Sequence, residues 1–508
     1  MFTSNKVINE TLSLLREHGI VHLVLCPGSR NAGIVHSACQ VGEFHTHMAT
    51  DERSAGFRAI GMALATRKAV AVVVTSGSAL ANLYPAACEA FYQHVPVVFI
   101  SADRPAAWVG QMDGQTMPQE GALGRMVKMS VSLPEDNLWH ANRLVNEALL
   151  CCQSRLPQGP VHINIPVSEP IYEFTTELLS KARVIRLTDS IPPLPCPDST
   201  LIIIGQMPPH DTLPLGLLKR IGEHFAIVAE NLSNIPPSLC VNPSCVDWES
   251  MGNVDMVITL GGHIVSKEMK MCLRSRCLKE HWHVSPDGAV ADVFCRQTLA
   301  VGMNATRFLQ ELLAVTSSTT VPMPLPMKEK AEEDSRMTVL REFFTLLPDN
   351  AAVFLANSST VRLAQKVIWT DMEESPLEIP SFFCNRGING IEGSLSTAVG
   401  YAIASPEEKV YAVIGDLSFF YDQNALWCDS LPQNLHILLF NDGRGSIFDT
   451  LPLPEDSPVS RHAIIGQHGL TARHLALLYG VRYMEGEGHM EQFVNSNETI
   501  IYERLEKC

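Results

Sequence analysis

Two short apolar runs in the last quarter of the chain constrain its fold more than any other feature. The runs VYAVIG and LHILLF, residues 410–415 and 435–440, are each bounded by turn residues, a pattern typical of strands buried in a parallel sheet. Asp416 follows the first run and Asp442 follows the second. Ligands of open α/β sheets bind beyond the carboxyl ends of the strands, so we expect these two carboxylates to meet at one edge of a sheet.

This pair of carboxylates has two interpretations. Carboxylate oxygens, backbone carbonyls of the second turn and the oxygens of a diphosphate would complete the octahedral shell that Mg2+ prefers. Alternatively, Asp416 caps the helix that follows it and Asp442 belongs to an Asn-Asp-Gly turn, with no ligand involved. The spacing of the residues leaves both interpretations open.

The segments around these aspartates resemble the metal–diphosphate motif of thiamine-diphosphate enzymes. GDLSFFYDQNAL (415–426), followed by NDGRGSIF (441–448), is similar within that group to the menaquinone-pathway synthases that make 2-succinyl-5-enolpyruvyl-6-hydroxy-3-cyclohexene-1-carboxylate. The resemblance implies thiamine diphosphate as cofactor, with Mg2+ or Mn2+ bound by Asp416, Asp442 and the backbone carbonyl of Arg444. That family usually carries Asn at the position of Asp442 and a small residue at that of Arg444. We expect the Arg444 side chain to offset the added negative charge beside the diphosphate.

Strand–turn–helix units recur along the chain and predict an α/β fold. HLVLCPGSR, AVAVVVTSG and VPVVFISAD belong to a first series, and TLIIIGQ and DMVITLGG to a second. Because such units build parallel sheets with helices on both faces, we predict three doubly wound parallel-sheet domains. Proline-rich linkers near residues 185–198 and 316–328 separate them, which gives domains 1–178, 185–325 and 332–508. The resemblance implies that these are the pyrimidine-binding, central and diphosphate-binding domains, respectively.

The composition excludes several classes of function. A net charge of −16 over 508 residues argues against nucleic acid or an anionic membrane as the partner. The N-terminal stretch MFTSNKVINETLSLLREHGI is typical of an amphipathic helix rather than a signal peptide, and no apolar run reaches the roughly 20 residues of a membrane span. The 14 cysteines include no CxxC metal-binding pair and are typical of reduced thiols. We therefore expect a soluble, cytoplasmic protein.

The first domain carries a candidate catalytic acid in the segment TDER, where a strand gives way to a helix. Acidic residues in a first helical turn interact favourably with the helix dipole, by about 0.3–1 kcal/mol, and this alone would explain Asp51 and Glu52. The flanking DERSAGFRAIGMALAT resembles the family's glutamate segment, which implies that Glu52 exchanges a proton with the aminopyrimidine of the cofactor.

A second motif of the first domain, TSGSALANLYPA, resembles the family's cofactor-side loop and implies cofactor-binding roles for Ser76, Gly77 and Asn82. Helix capping is an alternative for Ser76 and Asn82.

Several further motifs match the family residue by residue. The remaining cofactor positions implied by the resemblance are Gly390, Ile391, Gly415, Leu417 and Ser418. The implied substrate positions are Ser29, Arg30, Arg104, Gln115, Lys267, Ser358, Arg362, Arg386, Ile447, Phe448 and Leu451. Taken alone, a strand-end arginine such as Arg30 is more often a surface residue, and Ile391 would be an ordinary core residue. In VSKEMK, Lys267 matches but Glu268 reverses the charge that the family places there; either Lys270 takes over that role or Glu268 points to solvent.

The resemblance implies a transferase that decarboxylates 2-oxoglutarate on thiamine diphosphate and adds the succinyl carbanion to isochorismate. An acidic protein that binds two polyanions needs its arginines and lysines gathered at one cleft. The resemblance also implies a homodimer or homotetramer in which Glu52 of one subunit serves the metal site of another. Two alternatives are another thiamine-diphosphate-dependent 2-oxoacid decarboxylase or carboligase, and a catalytically impaired regulatory homologue. The departures at Asp442, Arg444 and Glu268 motivate the second of these.

Overall fold

The computed structural model describes residues 1–329, 334–348, 350–370, 379–427, 430–450 and 459–505. Within these ranges lie three six-stranded parallel sheets with accompanying helices. The predicted α/β class is therefore confirmed. None of the helices that the structure describes is long and apolar enough to cross a membrane.

The first sheet is built from the N-terminal part of the chain. Its strands are β1 (His22–Leu25), β2 (His45–Met48), β3 (Val70–Val74), β4 (Val97–Asp103), β5 (Met129–Ser132) and β6 (Val161–Pro166), in the order β2-β1-β3-β4-β6-β5. Its helices are α1 (Lys6–Glu17), α2 (Ala32–Gln40), α3 (Glu52–Thr66), α4 (Ser78–Ala81), α5 (Tyr84–Tyr92) and α6 (Leu138–Gln153). Val70, Val72 and Val74 pack into one apolar cluster, while Ala71 and Val73 pack into another. Both faces of this sheet are thus covered, as its unbroken apolar runs predict.

The second sheet follows in the middle of the chain. Its strands are β7 (Arg186–Thr188), β8 (Thr200–Ile204), β9 (Ala226–Ala229), β10 (Met256–Leu260), β11 (Glu280–Ser285) and β12 (Leu299–Gly302), in the order β7-β12-β11-β10-β8-β9. Its helices are α7 (Leu215–Gly222), α8 (Lys267–Ser275) and α9 (Ala305–Val315). Ser266 caps α8, since its hydroxyl accepts a hydrogen bond from Met269 N. This cap sets the start of α8, so that Lys267 is its first residue and Lys270 its fourth.

The third sheet brings the two acidic turns together. Its strands are β13 (Ala352–Leu355), β14 (Ser381–Phe383), β15 (Val410–Gly415), β16 (Leu435–Asn441), β17 (Arg482–Glu485) and β18 (Ile500–Leu505), in the order β14-β13-β15-β16-β18-β17. Its helices are α10 (Ser335–Leu346), α11 (Ser359–Thr370), α12 (Ser394–Ala404), α13 (Asp416–Tyr421), α14 (Arg473–Tyr479) and α15 (Met490–Val494). β15 and β16 are parallel neighbours, with Gly415 paired to Phe440. Asp416 and Asp442 therefore leave adjacent strands at the same edge.

The chain folds into two compact units. One comprises residues 1–189 with 288–301, and the other residues 190–287 with 302–508. The boundaries of the three domains expected from the linkers stay a prediction.

Candidate active site

A cavity of about 110 Å3 lies beyond the carboxyl ends of β13, β15 and β16. Ten residues predicted to bind cofactor, metal or substrate line it: Ser358, Ile391, Gly415, Asp416, Leu417, Ser418, Asp442, Arg444, Ile447 and Phe448. Leu451, predicted for the same apolar wall, lies outside the described residues. The lining joins carboxylates, guanidinium groups and hydroxyls to apolar side chains, which suits a ligand with a charged part and an apolar part.

Asp416 and Asp442 converge within this cavity. Asp416 Oδ2 accepts a hydrogen bond from Arg444 N at 3.1 Å, and Asp442 Oδ1 accepts from the same N–H at 3.2 Å. Asp416 Oδ1 also accepts from Leu417 N at 2.6 Å, in the first turn of α13. Asp416 is the first residue of α13, whose N-cap is Gly415 with no side-chain cap, so the capping alternative for Asp416 is wrong. Its carboxylate faces a second carboxylate, and its role as a metal ligand stays a prediction.

The electrostatics of this pair favour a cation. Burial and the like charge of Asp442 raise the pKa of Asp416 to about 6. Asp416 is only 4% exposed, so water screens the repulsion poorly. A positive ion shared by the two carboxylates would offset the like-charge repulsion that, after burial, raises the pKa of Asp416.

The turn that carries Asp442 is held by two hydrogen bonds of the Asn441 side chain. Asn441 Oδ1 accepts from Gly443 N at 3.0 Å, while Asn441 Nδ2 donates to Glu503 Oε1 at 2.7 Å. Gly443 has φ +72°, and a Cβ there would lie 2.9 Å from the carbonyl oxygen of His468. The predicted turn is thus present and Asp442 lines the cavity, while its role as a metal ligand stays a prediction.

Two side chains at the carboxylates lie outside the recognised motif. Arg336 Nη1 is 3.5 Å from Asp442 Oδ2, and His468 Nε2 is 3.3 Å from Asp416 Oδ2. Arg336 and His468 lie in segments outside the two acidic turns, and neither segment contains a motif that marks these residues as part of a site. Among the residues that the structure describes, no group of three or more His, Cys, Asp or Glu side chains is arranged to hold a metal ion.

The segment around Ile391 is fixed to the cavity wall by two hydrogen bonds. Ser418 Oγ donates to the carbonyl oxygen of Ile391 at 2.5 Å, and Asn357 Nδ2 donates to that of Gly390 at 2.7 Å. A Cβ at Gly390 would meet the Glu392 carboxylate, the end of a flexible side chain that can move aside, so the two hydrogen bonds rather than the glycine hold this backbone. Ile391 is therefore held against the cavity, as its cofactor role would require.

Arg362 and Arg386 form a positive cluster near Ser358. Arg386 is 7% exposed and its Nη1 donates to Asn357 Oδ1 at 2.9 Å. Arg362 Nη1 donates to the carbonyl oxygen of Ser358 at 2.6 Å, and Ser358 has a left-handed φ of 77°. Burial and the like charge of Arg386 lower the pKa of the Arg362 guanidinium. Bound carboxylates would relieve this repulsion.

The lysines of α8 occupy different environments. Glu268 turns away to an ion pair with Lys328, at 2.8 Å, and Lys267 is exposed. Lys270 is partly buried; burial lowers its pKa, and the charge of Arg386 acts in the same direction. Lys270 is thus the lysine of VSKEMK that lies within electrostatic range of the arginine cluster, while the substrate role of Lys267 stays a prediction.

Glu52 begins α3 beside the side chain that caps the helix. Asp51 Oδ1 accepts from Ser54 N at 3.0 Å and is the cap. Glu52 Oε2 instead accepts from Asn82 Nδ2 at 3.1 Å. The structural explanation therefore accounts for Asp51, and it leaves Glu52 oriented toward the predicted cofactor-side loop.

That loop is shaped by a glutamine that the motifs did not single out. Gln119 Oε1 accepts a 2.6 Å hydrogen bond from Gly77 N, and Gly77 has φ +76°. A Cβ at Gly77 would lie 3.1 Å from the carbonyl oxygen of Gln115, which requires glycine.

Ser76 is 1% exposed, and within the described residues its Oγ has no hydrogen-bond partner. No side chain caps α4, so the capping alternative for Ser76 is wrong.

The predicted substrate arginines of the first sheet follow two of its strands: Arg30 lies in a turn after β1, and Arg104 directly follows β4. Arg30 is buried rather than a surface residue, and its Nη1 donates to the carbonyl oxygen of Val167 at 2.9 Å. Arg104 Nη1 lies 3.7 Å from Asp113 Oδ2. Ser29 and Gln115 are exposed. The roles of these residues toward substrate stay predictions.

Over nearly its whole length, the chain is similar in sequence to proteins that carry the same name. Residues 6–123 match the family model described as thiamine pyrophosphate enzyme, N-terminal TPP binding domain. The chain is 43% identical to a protein of Phocaeicola vulgatus, over 97% of this chain and 92% of the relative, and 43% identical to one of Bacteroides fragilis, over 96% and 91%. A protein of Desulfotalea psychrophila is 34% identical over 94% of each. All three relatives are named 2-succinyl-5-enolpyruvyl-6-hydroxy-3-cyclohexene-1-carboxylate synthase.

Proposed function

Because the chain belongs to the family of 2-succinyl-5-enolpyruvyl-6-hydroxy-3-cyclohexene-1-carboxylate synthases, we propose that it removes carbon dioxide from 2-oxoglutarate and joins the remaining succinyl unit to isochorismate. The observation that carries this proposal is the convergence of Asp416 and Asp442 on one backbone N–H at neighbouring strand ends. That arrangement suits an enzyme which anchors a diphosphate through a divalent ion.

The residues of the cavity fit thiamine diphosphate with Mg2+ or Mn2+. Two hard carboxylate ligands stand close enough for their charges to repel, and the carbonyl of Arg444 belongs to the same turn. Ser418 and Ile391 border the same space, and Asn357, which also lines it, donates to the carbonyl oxygen of Gly390. When bound, thiamine diphosphate supplies the electron sink that stabilises the charge left by decarboxylation.

Glu52 would act as the proton carrier of this site. Its Oε2 is oriented by Asn82, and its carboxyl group would hold the proton that is exchanged with the aminopyrimidine nitrogen. Positioned acid–base help of this kind contributes about 10²–10⁴ in rate. Ser76, with its buried hydroxyl, and Gly77 would line the pyrimidine side.

The cationic residues would bind and orient the two anionic substrates. Arg362, Arg386 and Lys270 lie within electrostatic range of one another, and their mutual repulsion lowers the pKa of both Arg362 and Lys270, adding to the effect of burial. Bidentate pairing of guanidinium with carboxylate fixes orientation as well as affinity. We assign the same kind of role to Arg30 and Arg104, and we assign the apolar wall for the six-membered ring of isochorismate to Ile447, Phe448 and Leu451.

We infer a homodimer or homotetramer as the active form, working in the cytoplasm. The helix that begins at Glu52 exposes Phe57 and Leu64, apolar side chains that a second subunit would cover. Every cysteine in the described ranges is a free thiol, in keeping with a reducing compartment. Mixing Glu52→Gln protein with Asp416→Ala protein tests a shared site: partial recovery of activity supports it, and none after verified subunit exchange contradicts it.

The activity itself is tested by carbon dioxide release from 2-oxoglutarate, with and without isochorismate. We expect release that requires both a divalent ion and thiamine diphosphate, and faster turnover when isochorismate is present. Absence of release from 2-oxoglutarate, together with release from another 2-oxoacid, would overturn the proposal.

A further inference from the structure

We propose that Arg336 is a positioning residue that supplies the positive charge needed for Asp416 and Asp442 to share one cavity with a diphosphate. The proposal rests on the function proposed above, because it concerns how the cavity tolerates the charged part of that cofactor. Arg336 lies in the first turn of α10, far from the acidic turns in sequence, yet it lines the same cavity.

The Arg336 guanidinium is clamped on two sides. Its Nη2 donates to Asp334 Oδ2 at 2.7 Å and its Nε donates to Asp334 Oδ1 at 3.0 Å, a bidentate pair. On the other side, Nη1 donates to Ser446 Oγ at 3.0 Å and lies 3.5 Å from Asp442 Oδ2. The side chain is only 17% exposed, so water weakens these contacts little. The planar group is therefore fixed before any ligand arrives.

The charge balance of the cavity explains why such a cation is needed. A divalent ion is already balanced by the two ionised carboxylates of Asp416 and Asp442. The negative charge of a diphosphate must then be offset by other cations in a cavity that screens poorly, and the described lining provides Arg336 and Arg444. One side of the Arg336 guanidinium pairs with Asp334, and the other side faces Asp442 and lowers the negative potential at that carboxylate, which lies in the cavity.

Arg336 also shapes the turn that carries the metal ligands. It contacts Asp442 and Ser446, which stand on either side of Arg444. The backbone N–H of Arg444 is the donor shared by the two carboxylates. A lysine would keep the charge at this point but lacks the fork that binds Asp334 and Ser446 together.

The test is a double-mutant cycle on cofactor binding, measured by calorimetry of thiamine diphosphate with Mg2+ against the full chain. Arg336→Gln should weaken binding about tenfold, the size expected when one partly buried charge contact is lost. Adding Asp442→Asn should recover part of that loss, because the carboxylate that Arg336 neutralises is then gone. Arg341→Gln, which removes the same charge from the same helix away from the cavity, should bind as the unsubstituted protein does.

Four further outcomes distinguish failure of this inference from failure of the proposed function. Arg336→Lys should bind better than Arg336→Gln, and equal losses would overturn the charge argument even if both variants had loosened the turn. Unchanged binding by Arg336→Gln, or losses that simply multiply in the double variant, would overturn the inference while leaving the proposed function in place. Failure of the unsubstituted protein to bind thiamine diphosphate would overturn both. Thermal unfolding of the cofactor-free variants verifies that each is folded.

Discussion

Asp416 and Asp442 share a single hydrogen-bond donor, the backbone N–H of Arg444, which lies 3.1 Å from Asp416 Oδ2 and 3.2 Å from Asp442 Oδ1. They reach it from the ends of the neighbouring strands β15 and β16. The like charge of Asp442 still raises the pKa of Asp416, an unfavourable contact that a bound cation would relieve.

Cation binding is therefore expected to weaken as the pH falls through about 6. Burial and Asp442 raise the pKa of Asp416 to about 6, so below that pH the pair holds a proton that the cation must displace. Calorimetry of Mg2+ with thiamine diphosphate, in buffers of different ionisation enthalpy, measures this proton release directly. Asp442→Asn removes the like charge and should shift the release to lower pH; affinity that is independent of pH in this range would contradict the contact.

The same pKa shift affects the stability of the cofactor-free protein. A raised pKa means that the folded protein binds this proton more tightly than the unfolded chain does. The stabilising contribution is present in full below the ordinary Asp pKa of 3.8 and is lost as the pH rises through about 6. Asp416→Asn should remove that loss, so urea unfolding should show the variant gaining stability relative to the unsubstituted protein as the pH rises.

Glu52→Gln should remove most turnover while leaving the cofactor bound. The amide oxygen can still accept from Asn82, but the side chain can no longer exchange a proton, so a loss of about 10²–10⁴ in rate is expected. Carbon dioxide release measures turnover and calorimetry measures binding. Asp51→Ala is the matched control: it removes the helix cap to Ser54 and should cost about 0.5–2 kcal/mol of stability without affecting turnover. Near-normal turnover of Glu52→Gln would defeat its assigned role.

The meeting of Asp416 with Asp442 could be predicted from the sequence because it depends only on local pattern. Each aspartate follows an apolar strand, and parallel neighbouring strands bring such residues to one edge. The family resemblance then supplied the rest of the motif, and most of its C-terminal residues line one cavity.

Contacts that depend on distant segments or on the direction of a side chain could not be predicted in this way. Arg336 precedes Ser446 by 110 residues, and no local pattern connects the two. Gln115 matched the spacing of a motif, whereas the side chain that binds Gly77 belongs to Gln119, four positions later. Tertiary placement, rather than sequence spacing, decides which of two nearby glutamines faces inward.

Substitution of the two lysines of α8 tests which of them binds substrate. Lys270→Gln should raise the substrate concentration needed for half-maximal rate by about tenfold, because it removes a cation near Arg386. Lys267→Gln, one turn earlier and exposed, should change it less. Steady-state kinetics for each substrate distinguish the two. The opposite order would favour the assignment of Lys267 from the family resemblance.

Gln119→Leu should loosen the cofactor-side loop. The substitution keeps the bulk of the side chain but leaves the Gly77 N–H buried without its 2.6 Å acceptor, which costs about 1–3 kcal/mol. It also removes the amide that donates to Asn164 Oδ1 at 2.8 Å, so the loop loses its connection to β6. The expected result is weaker binding of thiamine diphosphate, measured by calorimetry, with little change in the substrate concentration for half-maximal rate once cofactor is saturating.

Gln115→Leu is the matched comparison, because Gln115 is exposed and is predicted to bind substrate rather than to hold the loop. It should raise the substrate requirement and leave cofactor affinity unchanged, the reverse of the pattern expected for Gln119→Leu. A merely structural role for Gln119 would lower stability without shifting cofactor affinity among the molecules that remain folded. If Gln115→Leu weakened cofactor binding more than Gln119→Leu did, the loop would be held by the exposed glutamine, and the hydrogen bond to Gly77 would have no part in shaping the site.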